Sequence, residues 1–444
     1  MTAPPYDHYK ASGVEWLGDV PRHWRLAKLR YLADFVGGGT PSRDKPEFWG
    51  GDLPWVSPKD MKTELISGAQ ENITEAGLAG SSSSLIKPGA VLMVVRSGIL
   101  QHTIPVAQNV VPVALNQDMK ALRFNTECSP AFFVRWVQGL NHQLLLAWAK
   151  QGATVESIEQ AYLADSVVPL PPPTEQTAII AFLDRETGRI DALVEAQRRL
   201  IELLKEKRQA VISNAVTRGL DPATPMKDSG VEWLDQVPAH WEVTRLANLF
   251  REVNEPGDDS LPVLSVSIHD GVSDDEGDPA HSDRKITRSE DRTKYKRVEP
   301  NDLVYNMMRA WQGGFGTVQV VGAVSPAYVV ARPSRPETAK FIELLLRTPK
   351  AVEEMRRRSR GVTDFRLRLY WDEFKDMCVV VPPTDDIRRV LDLVGERSSR
   401  WERLAVDAEI AIALLQERRS ALISDAVTGK IDVRSLAPEQ AEAA

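Results

Sequence analysis

The sequence has little cysteine and no long apolar run. Its two cysteines, Cys128 and Cys378, lie far apart and in no CxxC spacing. This pattern excludes a disulfide framework and a structural zinc site. Continuous apolar runs such as residues 91–95 are far shorter than the roughly 20 residues of a membrane span. The opening residues MTAPPY show no signal-peptide pattern, so we expect a cytoplasmic protein.

The sequence also lacks the common catalytic and nucleotide-binding motifs. No GxxxxGK[ST] loop occurs, because the GGGT run at residues 37–40 has no lysine and is followed by proline. There is no HExxH motif, and His23 and His240, each beside a tryptophan, are interpreted as structural. The nearest pattern to a nuclease motif, Asp283-Arg284-Lys285, is common by chance. The sequence therefore indicates neither a catalytic centre nor a metal site in this chain.

Charge is unevenly distributed along the 444 residues. The net charge is −7, from 55 basic and 62 acidic residues. Residues 252–278 carry nine acids and no lysine or arginine, whereas residues 356–368 carry six arginines and one aspartate. Basic islands in an acidic chain are typical of a local DNA-binding surface, although a solvated face gives the same pattern.

The chain contains an internal repeat. The hexapeptide SGVEWL begins at residues 12 and 229, an offset of 217. Further along, ISNAVT at residue 212 returns as ISDAVT at residue 423, an offset of 211. The regions between these matches share little sequence, so two similar frames hold two different inserts.

Each repeat ends in a predicted long helix. Thr174 and Thr384 are candidate N-caps, and Gly219 and Gly429 are candidate C-caps. The heptad phase of the apolar residues is preserved under the offset of 211, so the two helices can face each other as a coiled coil. The predicted stripe is Ile190, Leu193, Leu200, Leu204, Val211, Trp401, Leu404, Leu415 and Leu422.

The inserts have a mixed α/β pattern. Residues 91–95, 261–267, 303–308 and 328–331 are predicted strands. Residues 130–143 and 338–347 are predicted helices.

Several motifs occur in a defined order on this repeat. They are GGTPS at residue 38, WGGDLPWVSPKD at 49, NQD at 116, PPPTEQ at 171, NMMRAWQG at 306, SPAY at 325 and PPT at 382. With these motifs the chain resembles, over nearly its whole length, the DNA specificity subunit of type I restriction–modification systems. The second tail departs from the usual Glu-Gln, since Asp385-Asp386 follows PPT.

The resemblance implies an α/β (α+β) fold with two target-recognition domains and two conserved helices that pair as an antiparallel spacer, a pseudo-two-fold tandem repeat. The implied boundaries are residues 1–166 and 222–376 for the domains, 167–221 and 377–432 for the helices, and 433–444 for a flexible tail. Each domain would read one half of a bipartite site in double-stranded DNA.

The resemblance also implies partner subunits. Two methyltransferase subunits would modify adenine N6 with S-adenosylmethionine, and restriction subunits would cleave DNA with ATP and Mg. This chain would bind none of these cofactors and would be non-catalytic.

Base readout requires Arg, Lys, Asn or Gln at the groove edges, and phosphates require basic residues. Arg96 and Arg309 each follow a predicted strand, a placement that suits groove contact, whereas Trp49 and Trp311 are interpreted as packed within their domains. The first-insert candidates are Arg43, Lys45, Lys59, Arg96 and Gln117. The second-insert candidates are Lys294, Lys296, Arg309, Gln312, Arg366 and Arg368.

Two alternatives remain open at this point. One is a self-sufficient DNA methyltransferase with its own recognition domain, against which the missing cofactor and catalytic motifs argue. The other is a coiled-coil scaffold without a DNA role, which would leave the large globular inserts without a purpose.

Overall fold

A computed structural model describes residues 4–150, 152, 155–258, 260–267, 271–274, 294–361 and 367–436. The chain forms two compact units, one of residues 1–197 and 409–444 and the other of residues 198–408. Both units mix strands and helices, which confirms the predicted fold class.

The first unit holds one insert and parts of two long helices. Its strands are β1 (Tyr9–Ala11), β2 (Asp19–Pro21), β3 (Arg25–Lys28), β4 (Ala33–Gly37), β5 (Trp49–Val56), β6 (Leu65–Ile66), β7 (Asn72–Ile73), β8 (Val91–Val94), β9 (Val106–Asn109), β10 (Ala114–Leu115), β11 (Met119–Phe124) and β12 (Val167–Leu170). Its helices are α1 (Glu75–Ala79), α2 (Pro130–Gly139), α3 (Asn141–Trp148), α4 (Gln160–Asp165) and the start of α5 (Pro173–Arg218).

The second unit holds the other insert. Its strands are β13 (Met226–Asp228), β14 (Gln236–Pro238), β15 (Glu242–Arg245), β16 (Phe250–Val253), β17 (Leu264–Ser267), β18 (Gly271–Asp274), β19 (Lys296–Val298), β20 (Leu303–Asn306), β21 (Phe315–Thr317), β22 (Gly322–Val324), β23 (Tyr328–Pro333) and β24 (Cys378–Val381). Its helices are α6 (Pro336–Leu346), α7 (Pro349–Arg358), α8 (Trp371–Lys375) and the start of α9 (Thr384–Thr428).

The main sheets of the two units share one strand order. The first is β4-β11-β8-β9-β6 and the second is β16-β23-β20-β21. The neighbours from β4 to β9, and from β16 to β21, are antiparallel. The inner strands β8 and β20 follow turns at Gly89 and Asn301, both with positive φ (+94° and +73°). Dissimilar inserts thus form equivalent sheets, with the apolar residues of β8 and β20 in the cores.

The long helices begin differently from the prediction. Since α5 begins at Pro173 and α9 at Thr384, Thr174 and Thr384 lie inside the helices, and the predicted N-caps are wrong. A proline at or beside a helix start has a preset φ and lacks an N–H that would stay unpaired there. Gly219 and Gly429 directly follow the helices with φ of +78° and +75°, as expected for C-cap glycines.

The two long helices run in opposite directions through the units. The first begins in the first unit and ends in the second, and α9 does the reverse. In the first unit Arg419 Nε lies 2.9 Å from Asp191 Oδ1, and in the second Arg208 Nη2 lies 3.2 Å from Glu402 Oε1. The offset of 211 relates Asp191 to Glu402 and Arg208 to Arg419, so the two ion pairs join equivalent positions of the repeat. Each unit therefore contains one ion pair between the two helices.

The buried face of the helices differs from the predicted stripe. Leu193, Leu200 and Leu404 are 51%, 41% and 41% exposed, whereas Val194 is buried. Leu193 and Val194 are both apolar, so heptad spacing alone could not select the buried one. The other stripe residues are buried or half-buried; they are Ile190, Leu204, Val211, Trp401, Leu415 and Leu422.

The compact units also differ from the predicted domain boundaries. Each long helix is divided between the units instead of forming a separate spacer domain. The predicted tail contains Val433, which is fully buried in the first core, so its start is packed against the unit. Residues 437–444 lie outside the described residues.

A carboxylate near the start of each long helix holds the repeated His-Trp pair. Glu175 accepts hydrogen bonds from Trp24 Nε1 (2.9 Å) and from Tyr6 Oη (2.5 Å), and it lies 2.8 Å from His23 Nε2. Burial and the hydrogen bond to Glu175 raise the pKa of Tyr6 far above its ordinary value. The interpretation of His23 as structural is therefore correct.

The second unit repeats the contact with Asp386. Its Oδ2 lies 2.7 Å from His240 Nε2 and accepts from Trp241 Nε1 at 3.0 Å. Burial alone would raise the pKa of Asp386, but hydrogen bonds from His240, Trp241 and Arg389 hold it below the ordinary value. His240, like its counterpart, is structural.

We expect Glu175→Gln to lower the free energy of unfolding by about 1–2 kcal/mol, because the amide keeps the shape but weakens charge-assisted hydrogen bonds. Chemical denaturation gives the measurement. Glu127→Gln is the matched control, since Glu127 is 48% exposed and pairs with the exposed Arg25. Its effect should stay within about 0.5 kcal/mol. Equal losses in both variants would contradict a stabilising role of Glu175.

Candidate nucleic-acid interface

The loop after β4 carries the candidates Arg43 and Lys45. Two glycines at its start allow its backbone to pack closely against neighbouring residues. A Cβ on Gly38 would lie 2.0 Å from Asn116 O, and one on Gly39 would lie 2.2 Å from Ser82 Oγ. Gly39 N also donates to Leu115 O at 2.8 Å. The GGGT run is therefore packed against neighbouring backbone, and its last residue, Thr40, contacts the exposed Gln117 side chain.

Arg43 lies on an aromatic platform in the same loop. Its guanidinium carbon is 3.7 Å from the Trp49 ring centroid, and its nitrogens bind both Glu71 oxygens at 2.5 and 2.9 Å. Hydrogen bonding to Arg43 lowers the pKa of Glu71, and Lys59 adds to this effect. Trp49 packs edge-on against Trp55, so it is packed within its domain as interpreted. The Trp49 ring and the Glu71 carboxylate together fix the orientation of the Arg43 guanidinium.

Arg96 lies next to this loop. It follows β8, and its Nε donates to Asp118 Oδ1 at 2.7 Å. Gln117 precedes Asp118, so Arg96, Gln117 and the Arg43 loop form one exposed stretch, which we call the first basic surface. Lys45, with its Nζ 4.9 Å from the Phe48 ring, and Lys59 complete it.

A rigid turn presents Arg309 in the second unit. It directly precedes a single 3-10 turn of residues 310–312, and Gly313 ends that turn with φ of +89°. Arg309 O accepts hydrogen bonds from Gln312 N (2.9 Å) and Gly314 N (3.0 Å). The Arg309 side chain is exposed, and within the described part of the chain its guanidinium has no hydrogen-bond or ion-pair partner.

Other arginines lie beside this turn. Leu369 N donates to Met307 O at 2.8 Å, which places Arg368 near the turn. Arg360 and Arg368 exchange backbone hydrogen bonds of 2.9 Å, and Arg356 lies 5.7 Å from the Trp311 ring. Arg309, Arg356, Arg360 and Arg368 are the second basic surface. The prediction omitted Arg356 and Arg360, although both belong to the basic run at residues 356–368.

The remaining second-insert candidates have different environments. Lys296 is half-buried: its Nζ donates to Tyr328 O at 2.9 Å, and burial lowers its pKa. Its role in DNA contact stays a prediction. Lys294 and Gln312 are exposed. Arg366 lies outside the described residues, as does Asp283-Arg284-Lys285.

The described ranges contain no group of three or more His, Cys, Asp or Glu residues that could hold a metal ion. Likewise, no described helix is long and apolar enough to span a membrane. Cys128 is buried and Cys378 half-buried, and both are free thiols. Burial raises the pKa of Cys128 to about 12, which disfavours a reactive thiolate.

Sequence comparison agrees with the residue patterns. Residues 21–203 match the family model of the type I restriction modification DNA specificity domain. The matched residues make up less than half of the chain. The specificity subunit of the type I restriction enzyme EcoR124I/EcoR124II from Escherichia coli is 34% identical over 209 residues. That match covers 47% of this chain and 51% of the relative, so it spans about half the length of the curated protein.

Solved structures extend the likeness in fold beyond this specificity domain. A chain from a structure of the type I R-M system matches with a TM-score of 0.60 and 15% identity, covering 92% of this chain and 98% of its own. The HsdS subunit from Thermoanaerobacter tengcongensis matches with a TM-score of 0.51 and 14% identity, covering 93% and 98%. The fold expected from the resemblance is thus confirmed over both units.

Proposed function

We propose that this chain is the DNA-recognition subunit of a type I restriction–modification complex, in which each unit reads one half of a bipartite site. The supporting observation is the repetition of one sheet order around two different exposed arginines. Arg96 follows β8 and Arg309 follows β20, and the two strands hold equivalent places in their sheets. A repeated scaffold with dissimilar loops suits two different half-sites.

The partner subunits of this proposal are two methyltransferase copies and restriction subunits. The long helices carry exposed leucines at repeated positions, since Leu193 and Leu404, and likewise Leu203 and Leu414, are related by the offset of 211. Each unit therefore exposes one leucine of each pair: Leu193 and Leu414 in the first unit, and Leu203 and Leu404 in the second. Exposed apolar side chains at repeated positions are suitable for two copies of one partner.

The catalysis in this proposal belongs to the partners. They would bind S-adenosylmethionine, ATP and Mg, methylate adenine N6 and cleave DNA, while this chain selects the site without catalysing a reaction. Such a complex acts on cellular DNA, so the proposal places the chain in the cytoplasm.

Co-expression with the proposed methyltransferase partner, in a host without adenine methylation, tests the proposed function. Modified-base sequencing should show one methylated motif with two defined halves and unread positions between them. Expression of the methyltransferase without this chain is the control and should leave the motif unmodified. A continuous methylated motif, or equal methylation without this chain, would contradict the proposal.

We expect the isolated chain to bind DNA weakly and to gain at least tenfold in affinity with its methyltransferase. The net charge of −7 and the local basic surfaces allow few phosphate contacts, and counterion release scales with such contacts. Titration of labelled DNA at physiological salt, with and without the partner, gives the measurement. Sub-nanomolar specific binding by the chain alone would contradict this expectation.

A further inference from the structure

We call the contact between the helix carboxylate and the His-Trp pair the clamp; the two clamps differ in the carboxylate, Glu175 or Asp386, and in a tyrosine that only the first one contains. In the first unit Tyr6 is buried against it, with its ring centroid 5.6 Å from that of His23 and 6.0 Å from that of Trp24. Its hydroxyl donates to Glu175, and the Arg434 guanidinium carbon lies 5.0 Å from its ring. Tyr6 arrives on an irregular segment that precedes β1. A phenol is therefore part of the first clamp.

The second unit keeps the backbone around this position but has no tyrosine. The offset of 217 relates Tyr6 to the exposed Ala223. Two equivalent backbone hydrogen bonds support this alignment for the residues that follow Tyr6 and Ala223. Arg22 N donates to His8 O at 2.9 Å, and the equivalent Ala239 N donates to Pro225 O at 2.8 Å.

A cavity of about 200 Å³ lies at this place in the second unit. Its lining includes Leu220, Thr224, His240, Trp241, Asp386 and Arg389. An apolar cavity of about 150 Å³ is large enough to bind benzene, so this one accommodates a single aromatic ring. Two replacements distinguish this place from its counterpart in the first unit: the offset puts Ala223 where Tyr6 stands, and Asp386 is one methylene shorter than Glu175.

The lining groups suit a phenol. Asp386 accepts hydrogen bonds from His240, Trp241 and Arg389, and an ionised carboxylate offers about four lone-pair sites, so one remains for a hydroxyl donor. Arg389 is 71% exposed and can lie over a bound ring, as Arg434 does over Tyr6. The carboxylate disfavours an anionic ligand.

We propose that this cavity binds the tyrosine side chain of a partner polypeptide, whose hydroxyl donates to Asp386 as Tyr6 donates to Glu175. The first unit supplies the precedent for a polypeptide source, because its phenol is carried by the irregular segment that precedes β1. Leu220 is 41% exposed and His240 is half-exposed, so the cavity is open to a partner chain. The Leu220 side chain offers that chain an apolar contact at the opening.

Ligand titration of the full chain, followed by NMR of the Trp241 indole N–H, tests this site. The probes are p-cresol, N-acetyl-tyrosinamide and N-acetyl-phenylalaninamide. We expect saturable shifts with the two phenols and at least tenfold weaker binding of the phenylalanine amide, which lacks the hydrogen bond to a charged acceptor. Asp386→Asn should reduce this preference for tyrosine.

Ala223→Tyr should fill the cavity from within and abolish phenol binding while the thermal midpoint stays equal or rises. The matched control is Ala210→Tyr on the exposed face of α5, which should leave binding unchanged.

Equal affinity for both amides, or binding that survives Ala223→Tyr, would overturn the proposal. Binding of p-cresol without N-acetyl-tyrosinamide would overturn the polypeptide source. None of these readouts involves DNA, so their failure leaves the proposed function untouched.

Discussion

Arg309→Ala is expected to relax recognition of one half of the DNA site by about ten- to a hundredfold and to leave the other half intact. Loss of a bidentate arginine–guanine contact costs about 1–3 kcal/mol. The Arg309 backbone is held by the turn that Gly313 ends, and its side chain is exposed, so the fold should be unaffected. Modified-base sequencing of DNA methylated by the complex shows which half-site has become degenerate.

Two further variants show whether this effect belongs to the second basic surface. Arg388→Ala is the matched control, because Arg388 is a 70% exposed arginine on α9 whose ion-pair partner among the described residues is Asp385, 3.6 Å away. It should leave both half-sites unchanged. Arg96→Ala should relax the half-site that Arg309→Ala leaves intact. A folded Arg309→Ala complex that loses both half-sites equally would show that Arg309 does not read bases.

The repeat is the reason why much of the fold could be predicted from sequence. The matched hexapeptides lie a few residues before the two His-Trp pairs, and the offset of 211 relates the two long helices, including the ion pairs of Asp191 and Glu402. These features depend on local spacing, which a sequence displays directly. The inner strands β8 and β20 were predicted for the same reason, since each is a short run of apolar residues.

Features that depend on tertiary packing could not be predicted. The choice between Leu193 and Val194 for the buried face requires the neighbouring helix, because both side chains are apolar. Lys296 has basic neighbours in the sequence, Lys294 and Arg297, yet its half-buried amine donates to a backbone carbonyl of its own unit. Arg356 and Arg360 join Arg309 only because α7 and the segment after it pack beside the turn. Composition indicated the basic run but not its geometry.

A fragment of residues 1–219 is expected to form a dimer through α5. The core of the first unit includes Ile423, Ala426 and Val427 of α9, each at most 2% exposed, and the fragment lacks them. Its own α5 carries Ile212 and Val216 at positions related by the offset of 211, and in the full chain these complete the second core.

A second copy can therefore supply the missing helix end, and the exchange is reciprocal, so it closes at two chains. Burial of these apolar side chains contributes about 25 cal/mol per Å², several kcal/mol for each helix end. With the methyltransferase, such a dimer should modify a palindromic split site made of the first half-site and its reverse complement. Sedimentation at micromolar concentration measures the dimer, and modified-base sequencing shows the palindrome.

Val216→Asp separates this exchange from nonspecific association of the fragment. In a lone fragment Val216 would face water, where a carboxylate is harmless, whereas in the dimer it would place an unpaired charge in the partner's core. We therefore expect a folded monomer from Val216→Asp and a dimer from Asn214→Asp, which changes an exposed neighbour on the same helix. A Val216→Asp fragment that still dimerises would contradict pairing through the helix ends. A folded but strictly monomeric parent fragment would show that its recognition domain needs no second helix.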